Sequence, residues 1–311
     1  MNHSAPLQSA PVHWHAESIW QAVMVLAQER ADARLAGFSV EVLPQIDSTN
    51  SELMRRARAG QFEPTLLVAE QQTAGRGRMG RAWESGQGPQ AGSSLTFSLG
   101  LPLSPLAWDG LSLAVGVSVA QHVCAPSEAL TQPLQPPIGL KWPNDLWWQG
   151  GKLAGVLIET CAMASGTGSS MSDAGARGDS DARYAVIGVG INIAAPPAQG
   201  LVTPPAWLQA IWPQASAAQV LQSLAPALLR DLLLFEAQGF VPFASQFVAR
   251  DVLQGRRVVL SDGREGVAHG VDARCALRVE TALGMECISS GEVSVRPVPA
   301  LLPSQTAASE S

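Results

Sequence analysis

Cysteine, net positive charge and long apolar runs are all scarce or missing in this chain of 311 residues. The four cysteines include no C-x-x-C pair, which is typical of a reducing compartment and argues against a disulfide framework or a zinc site. The formal net charge is −6, which argues against a protein that coats nucleic acid or anionic membranes. Apolar runs such as Leu111 to Ala120 are shorter than the roughly 18 residues of a membrane span, and the N-terminus lacks the basic start and apolar core of an export signal. We therefore expect a soluble, cytoplasmic protein.

Composition divides the chain into two domains between two polar tails. Residues 14–250 alternate between helical and strand-like apolar patterns, whereas residues 251–300 hold short apolar runs separated by turns, as in a small β-barrel. Residues 1–13 and 301–311 are polar, and we expect them to be flexible tails. The Gly/Ser-rich run at 165–181 has too little apolar surface to offset the entropy of ordering it, so we expect a disordered insertion there.

Three local signals predict where elements begin or turn. Thr49 followed three residues later by Glu52 fits a capping box and predicts that a helix begins with Thr49 as its N-cap. Gly150-Gly151 between two strand-like runs predicts a hairpin turn, with Lys152 at the start of the second strand. Pro226 interrupts a leucine-rich helical run at 220–240, so we expect it to kink that helix or to mark a late start.

The loop from Gly75 to Arg81 alternates glycine with arginine, which is unusual in an acidic protein. Glycine lets the backbone approach a ligand closely, and guanidinium groups bind phosphate or carboxylate oxygens. This composition alone is compatible with three interpretations: an anion site, a nucleic-acid-binding tract and a plain solvated loop. The loop lacks the G-x-x-x-x-G-K-[ST] pattern of a P-loop, and Gly188-Val189-Gly190 fails the dinucleotide fingerprint because Ile193 stands at its third position.

Lys141 and Lys152 are the two lysines of the chain, and its other basic residues are arginines. A lysine retained where arginine is otherwise used indicates a need for a compact ammonium group, with an ordinary surface lysine as the simpler alternative. Asn144 and Asp145 lie between them and fit a plain turn equally well. None of the five histidines lies in a Ser/His/Asp or Cys/His arrangement, so the sequence offers no nucleophile of those types.

Taken together, five segments resemble the ordered motif set of the biotin protein ligase family. They are Ser48-Thr49-Asn50, Ala69 to Arg78 with Gly80-Arg81 and Trp83, Lys141 to Leu146, Lys152 to Gly155 with Glu159, and Gly188 to Asn192. The resemblance covers about residues 38–250, and the region from 251 to about 297 is similar to the C-terminal domain of that family. It implies an α+β fold: a mixed-sheet catalytic domain of the biotin/lipoate ligase type with packed helices, followed by a small SH3-like β-barrel.

The resemblance also implies a two-step reaction. Biotin and MgATP give biotinyl-5′-adenylate and pyrophosphate, and a lysine of an acceptor protein then displaces AMP. Three residues are expected to be catalytic: Lys152, which bridges the biotin carboxyl group and the phosphate, Arg78, which assists it, and Asp145, nearest the incoming lysine. We expect no protein metal site, with Mg²⁺ arriving on ATP.

A wider set is expected to bind biotin and ATP. Ser48, Thr49 and Gln72 are assigned to the biotin head group, and Trp83 to packing beside the adenine. The full expected set is Ser48, Thr49, Asn50, Gln72, Gly75, Arg76, Gly77, Arg78, Arg81, Trp83, Lys141, Asn144, Lys152, Gly155, Gly188, Gly190 and Asn192.

Two related functions compete with this interpretation. Lipoate protein ligase shares the adenylation strategy, but the Gly-Arg loop and Lys-Trp-Pro-Asn-Asp favour biotin. A bifunctional ligase and transcriptional repressor needs roughly 60 residues for a winged helix-turn-helix, whereas about 37 precede Phe38. The expected partner is a biotin carboxyl carrier protein or domain of acetyl-CoA carboxylase or a related carboxylase. Neither DNA nor a membrane is expected as a partner, and a homodimer is left open.

Overall fold

The computed structural model describes residues 12–83, 92–123, 137–163, 182–196, 203–289 and 295–297. The chain divides into two units, Met1–Arg250 and Asp251–Ser311. The insertion expected at 165–181 and the tail expected at 301–311 lie outside the described residues. The same holds for the tail expected at 1–13, apart from its last two residues.

A seven-stranded mixed sheet with packed helices forms the first unit. Its elements in chain order are α1 (Ala16–Arg30), β1 (Ser39–Ile46), α2 (Thr49–Arg58), β2 (Thr65–Gln72), β3 (Ser94–Leu103), α3 (Leu111–His122), β4 (Gly139–Lys141), β5 (Asp145–Trp148), β6 (Gly151–Ala162), β7 (Arg183–Asn192), α4 (Ala217–Gln238) and α5 (Ala244–Val248). The strands lie in the order β1-β2-β3-β7-β6-β5-β4. β1 pairs with β2 in parallel, and the other neighbours are antiparallel.

The central strand β7 is apolar on both faces because helices cover both sides of the sheet. Tyr184 and Val186 pack with Leu53 and Met54 of α2. Side chains alternate along a strand, so the buried Ile187 points to the opposite face, the one that α3 and α4 cover. A strand that is buried on both faces has a nearly continuous apolar sequence, and this explains why β7 is evident in the sequence.

Helix α4 bears on two expectations, the absence of a membrane span and the effect of Pro226. It is long and apolar enough to cross a membrane by length and composition, although no uninterrupted apolar run in the sequence indicated this. In its most apolar window 61% of the residues are buried inside the protein, as in a core helix that passes the same test. The helix starts at Ala217, with Ser216 as its N-cap, and continues through Pro226, so a late start at that proline is wrong.

Two predicted boundaries are wrong by one residue. Ser48, not Thr49, caps α2, and its side chain accepts a hydrogen bond from the Ser51 N–H at 3.4 Å. Glu52 pairs with arginines of its own helix instead of completing a capping box. The turn between β5 and β6 is Gln149-Gly150, both with positive φ, whereas Gly151 already belongs to β6.

The second unit is a five-stranded antiparallel sheet. Its strands are β8 (Arg257–Leu260), β9 (Glu265–Val271), β10 (Leu277–Thr281), β11 (Gly284–Ile288) and β12 (Val295–Pro297), in the order β11-β10-β9-β8-β12. The sequence did not indicate β11, because most of its side chains are exposed or half-buried and carry no apolar alternation. The expected α+β fold class with a small β domain is confirmed.

Pro226 makes the stability of α4 testable. A proline inside a helix lacks the N–H that would donate to the carbonyl four residues earlier, and its ring crowds that carbonyl. Pro226→Ala is expected to raise the free energy of unfolding by about 1 kcal/mol, as the helical gain exceeds the entropy that proline removes from the unfolded chain. Urea denaturation of the full chain measures this value.

The control for that experiment is Pro242→Ala. Pro242 lies in the first turn of the short 3₁₀ helix Val241–Phe243, where a missing N–H costs nothing. We expect no gain from this variant. A Pro226→Ala protein that is no more stable than wild type would contradict the prediction.

Candidate functional site

Glycines on neighbouring strands form the floor of a pocket on the α2 face of the sheet. Gly155 of β6 lies directly opposite Gly190 of β7, and Gly188 lies two residues away on the same face. A Cβ at Gly188 would overlap Asn50 Oδ1, and a Cβ at Gly190 would overlap the indole ring of Trp83. The space that strand side chains would fill is therefore taken by side chains reaching in from α2 and from the Gly-Arg loop.

The pocket is open to solvent, and about 460 Å³ of space outside the protein atoms lies in and at its mouth. It is bounded by the start of α2, the end of β2, the loop that follows, and strands β3, β6 and β7. The expected residues that line it are Ser48, Thr49, Asn50, Gln72, Arg76, Gly77, Arg78, Trp83, Asn144, Lys152, Gly155, Gly188 and Gly190. Residues that the sequence did not single out also line it, namely Thr96, Phe97, Val156, Leu157 and Val189.

The other expected residues do not line the pocket. Lys141 Nζ lies 5.3 Å from the centroid of the Trp147 ring, in a cation–π contact. The Asn192 side chain donates to the Lys152 carbonyl at 3.1 Å and to the Ala206 carbonyl at 3.0 Å, so it fixes the start of β6. Gly75 and Arg81 support the loop through their backbone carbonyls. Asp145 forms an ion pair with Lys152.

A buried polar network fills the wall beneath α2. The Thr49 N–H and hydroxyl donate to Gln72 Oε1 at 2.8 and 3.2 Å. The hydroxyl of Ser98, fully buried on β3, donates to Asn50 Oδ1 at 2.6 Å and lies 2.7 Å from Thr49 Oγ1. Sequence reasoning missed Ser98. Its signal was a pair of hydroxyl residues, Thr96 and Ser98, at alternate positions of an otherwise apolar strand, because alternate residues share one face.

The Gly-Arg loop closes on itself before Trp83 reaches the floor. The Gly77 N–H donates to the Arg81 carbonyl at 2.7 Å, and the Trp83 N–H donates to the Gly75 carbonyl at 2.9 Å. Arg78 is half-buried at the pocket, where burial lowers the pKa of its guanidinium and the charge of Asp145 acts in the opposite direction. An arginine with a lowered pKa still carries its charge at neutral pH.

Lys152 brings a second cation to the same end of the pocket. Its Nζ lies 2.7 Å from Asp145 Oδ1 and 5.8 Å from the centroid of the Trp83 ring. The Asn144 side chain donates to the Val156 carbonyl at 2.7 Å, which ties the turn before β5 to β6. Two cations beside one carboxylate, over a glycine floor, are suited to holding a pair of anions close together.

Comparison with known proteins identifies the family. Residues 42–172 match the Biotin/lipoate A/B protein ligase family, and residues 255–296 match the Biotin protein ligase C terminal domain. The bifunctional ligase/repressor BirA of Escherichia coli strain K12 is 33% identical over 287 residues, which cover 90% of this chain and 81% of that protein. The biotin--[acetyl-CoA-carboxylase] ligase of Mycobacterium tuberculosis is 32% identical over 267 residues, covering 82% and 88% of the two chains. The chain belongs to the biotin protein ligase family.

The fold of a solved biotin protein ligase agrees with this membership. The enzyme from Aquifex aeolicus, in complex with biotin and ATP, matches with a TM-score of 0.62 at 27% identity. The match covers 83% of this chain and 99% of the Aquifex chain. The family and the enzyme class predicted from the motifs, a biotin protein ligase, are confirmed, and the lipoate ligase and repressor alternatives are not favoured.

The glycine floor makes a prediction for this family member. In Gly188→Ala, the new methyl group must displace Asn50, so its hydrogen bonds to Ser98 and Glu159 are lost or bent. We expect the free energy of unfolding to fall by about 1–3 kcal/mol, the usual cost of overpacking a buried site. Urea denaturation measures the loss.

Gly37→Ala is the matched control. An added Cβ at Gly37 meets no atom within 4 Å, and we expect this variant to unfold like wild type. Equal stability of the two variants would show that Asn50 moves aside without cost.

Proposed function

We propose that this protein uses ATP to convert biotin to biotinyl-5′-adenylate and then transfers the biotinyl group to a lysine of a carrier protein. The observation that carries the proposal is the convergence of Lys152 and Arg78 at one end of the glycine-floored pocket. Adenylation brings a carboxylate against a phosphate, and two positive groups are what this encounter needs. The named relatives and the Aquifex enzyme with biotin and ATP support the choice of substrates.

In the first step, a carboxylate oxygen of biotin attacks the α-phosphorus of ATP. The new O–P bond forms as the bond to pyrophosphate breaks, and negative charge spreads over the phosphoryl oxygens. We assign Lys152 to the bridge between the carboxylate and the phosphate, and Arg78 to the phosphoryl oxygens. Ser48, Thr49 and Gln72 are assigned to the biotin head group, because they form the polar wall at the start of α2.

In the second step, the amine of the acceptor lysine attacks the acyl carbon of the adenylate. The N–C bond forms, the bond from that carbon to the phosphate oxygen breaks, and AMP leaves with the electron pair. We assign Asp145 to orienting this amine and accepting its proton, since its carboxylate is paired with Lys152 beside the reacting atoms. The Gly-Arg loop keeps water from the adenylate until the acceptor arrives.

Magnesium enters this scheme as part of the substrate MgATP. Within the described residues no group of three or more His, Cys, Asp or Glu side chains is arranged to hold a metal ion. Mg²⁺ is commonly held by substrate phosphates with one or two carboxylates, so the phosphates of ATP can carry it into the pocket. Asn144 lies at the nucleotide side in this assignment.

The carrier is proposed to be a biotin carboxyl carrier protein or domain of acetyl-CoA carboxylase or a related carboxylase. The name of the Mycobacterium tuberculosis relative supports this partner. A cytoplasmic location is inferred from the low cysteine content. DNA binding is left out of the proposal, although the Escherichia coli relative is named a bifunctional ligase/repressor. The described residues ahead of β1 hold one α-helix, α1, and a short 3₁₀ helix.

Lys152→Ala tests the first step. Removal of one charge-stabilising donor typically slows the chemical step by ~10²- to 10³-fold. We expect that loss in single-turnover formation of biotinyl-adenylate, with an unchanged urea transition, because Lys152 lies at a strand end and half-exposed. Lys141→Ala is the comparison. The Lys141 ammonium lies over Trp147 outside the pocket lining, so this variant should lose less adenylation rate than Lys152→Ala. Adenylation by Lys152→Ala at near wild-type speed would remove Lys152 from the mechanism.

Arg78→Gly tests the retention of the intermediate. A hydrogen bond to a charged group contributes about 1.5–3 kcal/mol, so its loss should speed the escape of biotinyl-adenylate by roughly 10- to 100-fold. Escaped adenylate should label the lysines of a bystander such as serum albumin, and a blot for biotin would detect this. Arg78→Lys keeps the positive charge and should label the bystander less than Arg78→Gly does. Adenylate retained as in wild type by Arg78→Gly would contradict the assignment.

A further inference from the structure

Arg76 ties the Gly-Arg loop to the body of the first unit. Its Nη1 lies 3.3 Å from Glu159 Oε1 on β6 and donates to Ser51 Oγ on α2 at 3.5 Å. The backbone of Arg76 forms the antiparallel bridge with Ala82 that closes the loop. A contact through this side chain therefore acts on the loop as a whole.

The carboxylate of Glu159 uses its two oxygens in two directions. Oε1 faces Arg76, and Oε2 accepts a hydrogen bond from Asn50 Nδ2 at 3.1 Å. Asn50 lines the pocket, and its own Oδ1 accepts from Ser98. One carboxylate thus joins the loop above the pocket to the polar wall below it.

The position of Glu159 on β6 explains this reach. Gly155, Leu157 and Glu159 alternate along the strand on the face that carries the pocket, so the carboxylate stands two positions beyond the pocket-lining Leu157. Glu159 lies opposite Val186 of the apolar cluster under α2. Its side chain is 21% exposed, against 51% for Arg76, so the anion is fixed by the fold and the arginine is the partner that can leave.

We propose that Glu159 is a positioning residue that holds the Gly-Arg loop closed through Arg76 while it orients Asn50. The tether is partly exposed, and exposed ion pairs are weak, so it biases the loop by a few-fold without locking it. A weak tether suits a loop that must admit ligands, close over them and open again. The identity of the ligand rests on the proposed function, whereas the tether does not.

Glu159→Gln separates the two contacts. Glutamine keeps an oxygen that accepts from Asn50 but cannot form an ion pair with Arg76. Glu159→Gln, Arg76→Gln and the double variant form a double-mutant cycle. Trypsin cleavage after Arg78 and Arg81, followed by mass spectrometry on the protein without ligand, reports how often the loop opens.

Each single variant is expected to speed cleavage in the loop about 2- to 5-fold, the range of a partly exposed ion pair. The double variant should be cleaved no faster than Arg76→Gln alone, since the ion pair is lost in all three and Arg76→Gln already lacks the contact with Ser51. The urea transition should not shift, because the tether acts on opening of the loop and not on unfolding of the whole protein. A purely structural role of Glu159 would instead lower the urea midpoint. Single variants cleaved at the wild-type rate, or single effects that multiply in the double variant, would overturn the proposal.

Arg257→Gln is the matched control. Arg257 is 68% exposed, pairs with Glu265 at 3.1 Å and lies on β8 of the second unit. Its substitution should leave cleavage after Arg78 and Arg81 unchanged, and equal acceleration by this variant would also refute a specific tether. A failure of the proposed function appears differently: wild-type protein would form no biotinyl-adenylate while the coupling between Glu159 and Arg76 persisted.

Discussion

The close approach of α2 and the Gly-Arg loop to the sheet is possible because strand side chains are missing where they meet. At Gly188 the missing side chain makes room for Asn50, and at Gly190 it makes room for the ring of Trp83. Gly188 and Gly190 share one face because they alternate along β7, and the register with β6 adds Gly155 opposite Gly190. A shift of β7 by one residue would turn both of its gaps to the opposite face. The pocket, the network beneath α2 and the resting place of the loop all follow from this register.

Charge is distributed around the pocket so that each cation has an anion of the protein nearby. Lys152 is paired with Asp145, and Arg76 with Glu159. Arg78 is half-buried and has a lowered pKa, with the charge of Asp145 as the stabilising influence. In a low-dielectric pocket such cations are held in place before an anionic ligand arrives, which avoids the cost of reorienting them during the reaction.

Motifs in the sequence predicted the family, the fold class and most of the residues that meet at the pocket, because those residue types lie in short continuous segments. Long-range packing decided the remainder. Ser98 was not singled out, and Glu159 belonged to a motif without an expected contact, because both bind Asn50, which lies 48 and 109 residues away in sequence. Lys141 belongs to a motif, yet its ammonium lies over Trp147. Ser48 caps α2 because its backbone is extended, whereas Thr49 is already helical. The N–H and hydroxyl of Thr49 are both bound to Gln72, a contact that local sequence does not reveal.

The two lysines have a chemical consequence beyond the pocket. An acyl adenylate reacts with neutral amines, whereas a guanidinium group stays protonated in proteins and is a poor nucleophile. Lys152 is ion-paired with Asp145 and Lys141 lies over an indole ring, while every other basic side chain among the Lys and Arg residues is a guanidinium. A catalyst built in this way offers almost no side-chain amine to the reactive species that it makes, and is protected by composition against acylating itself.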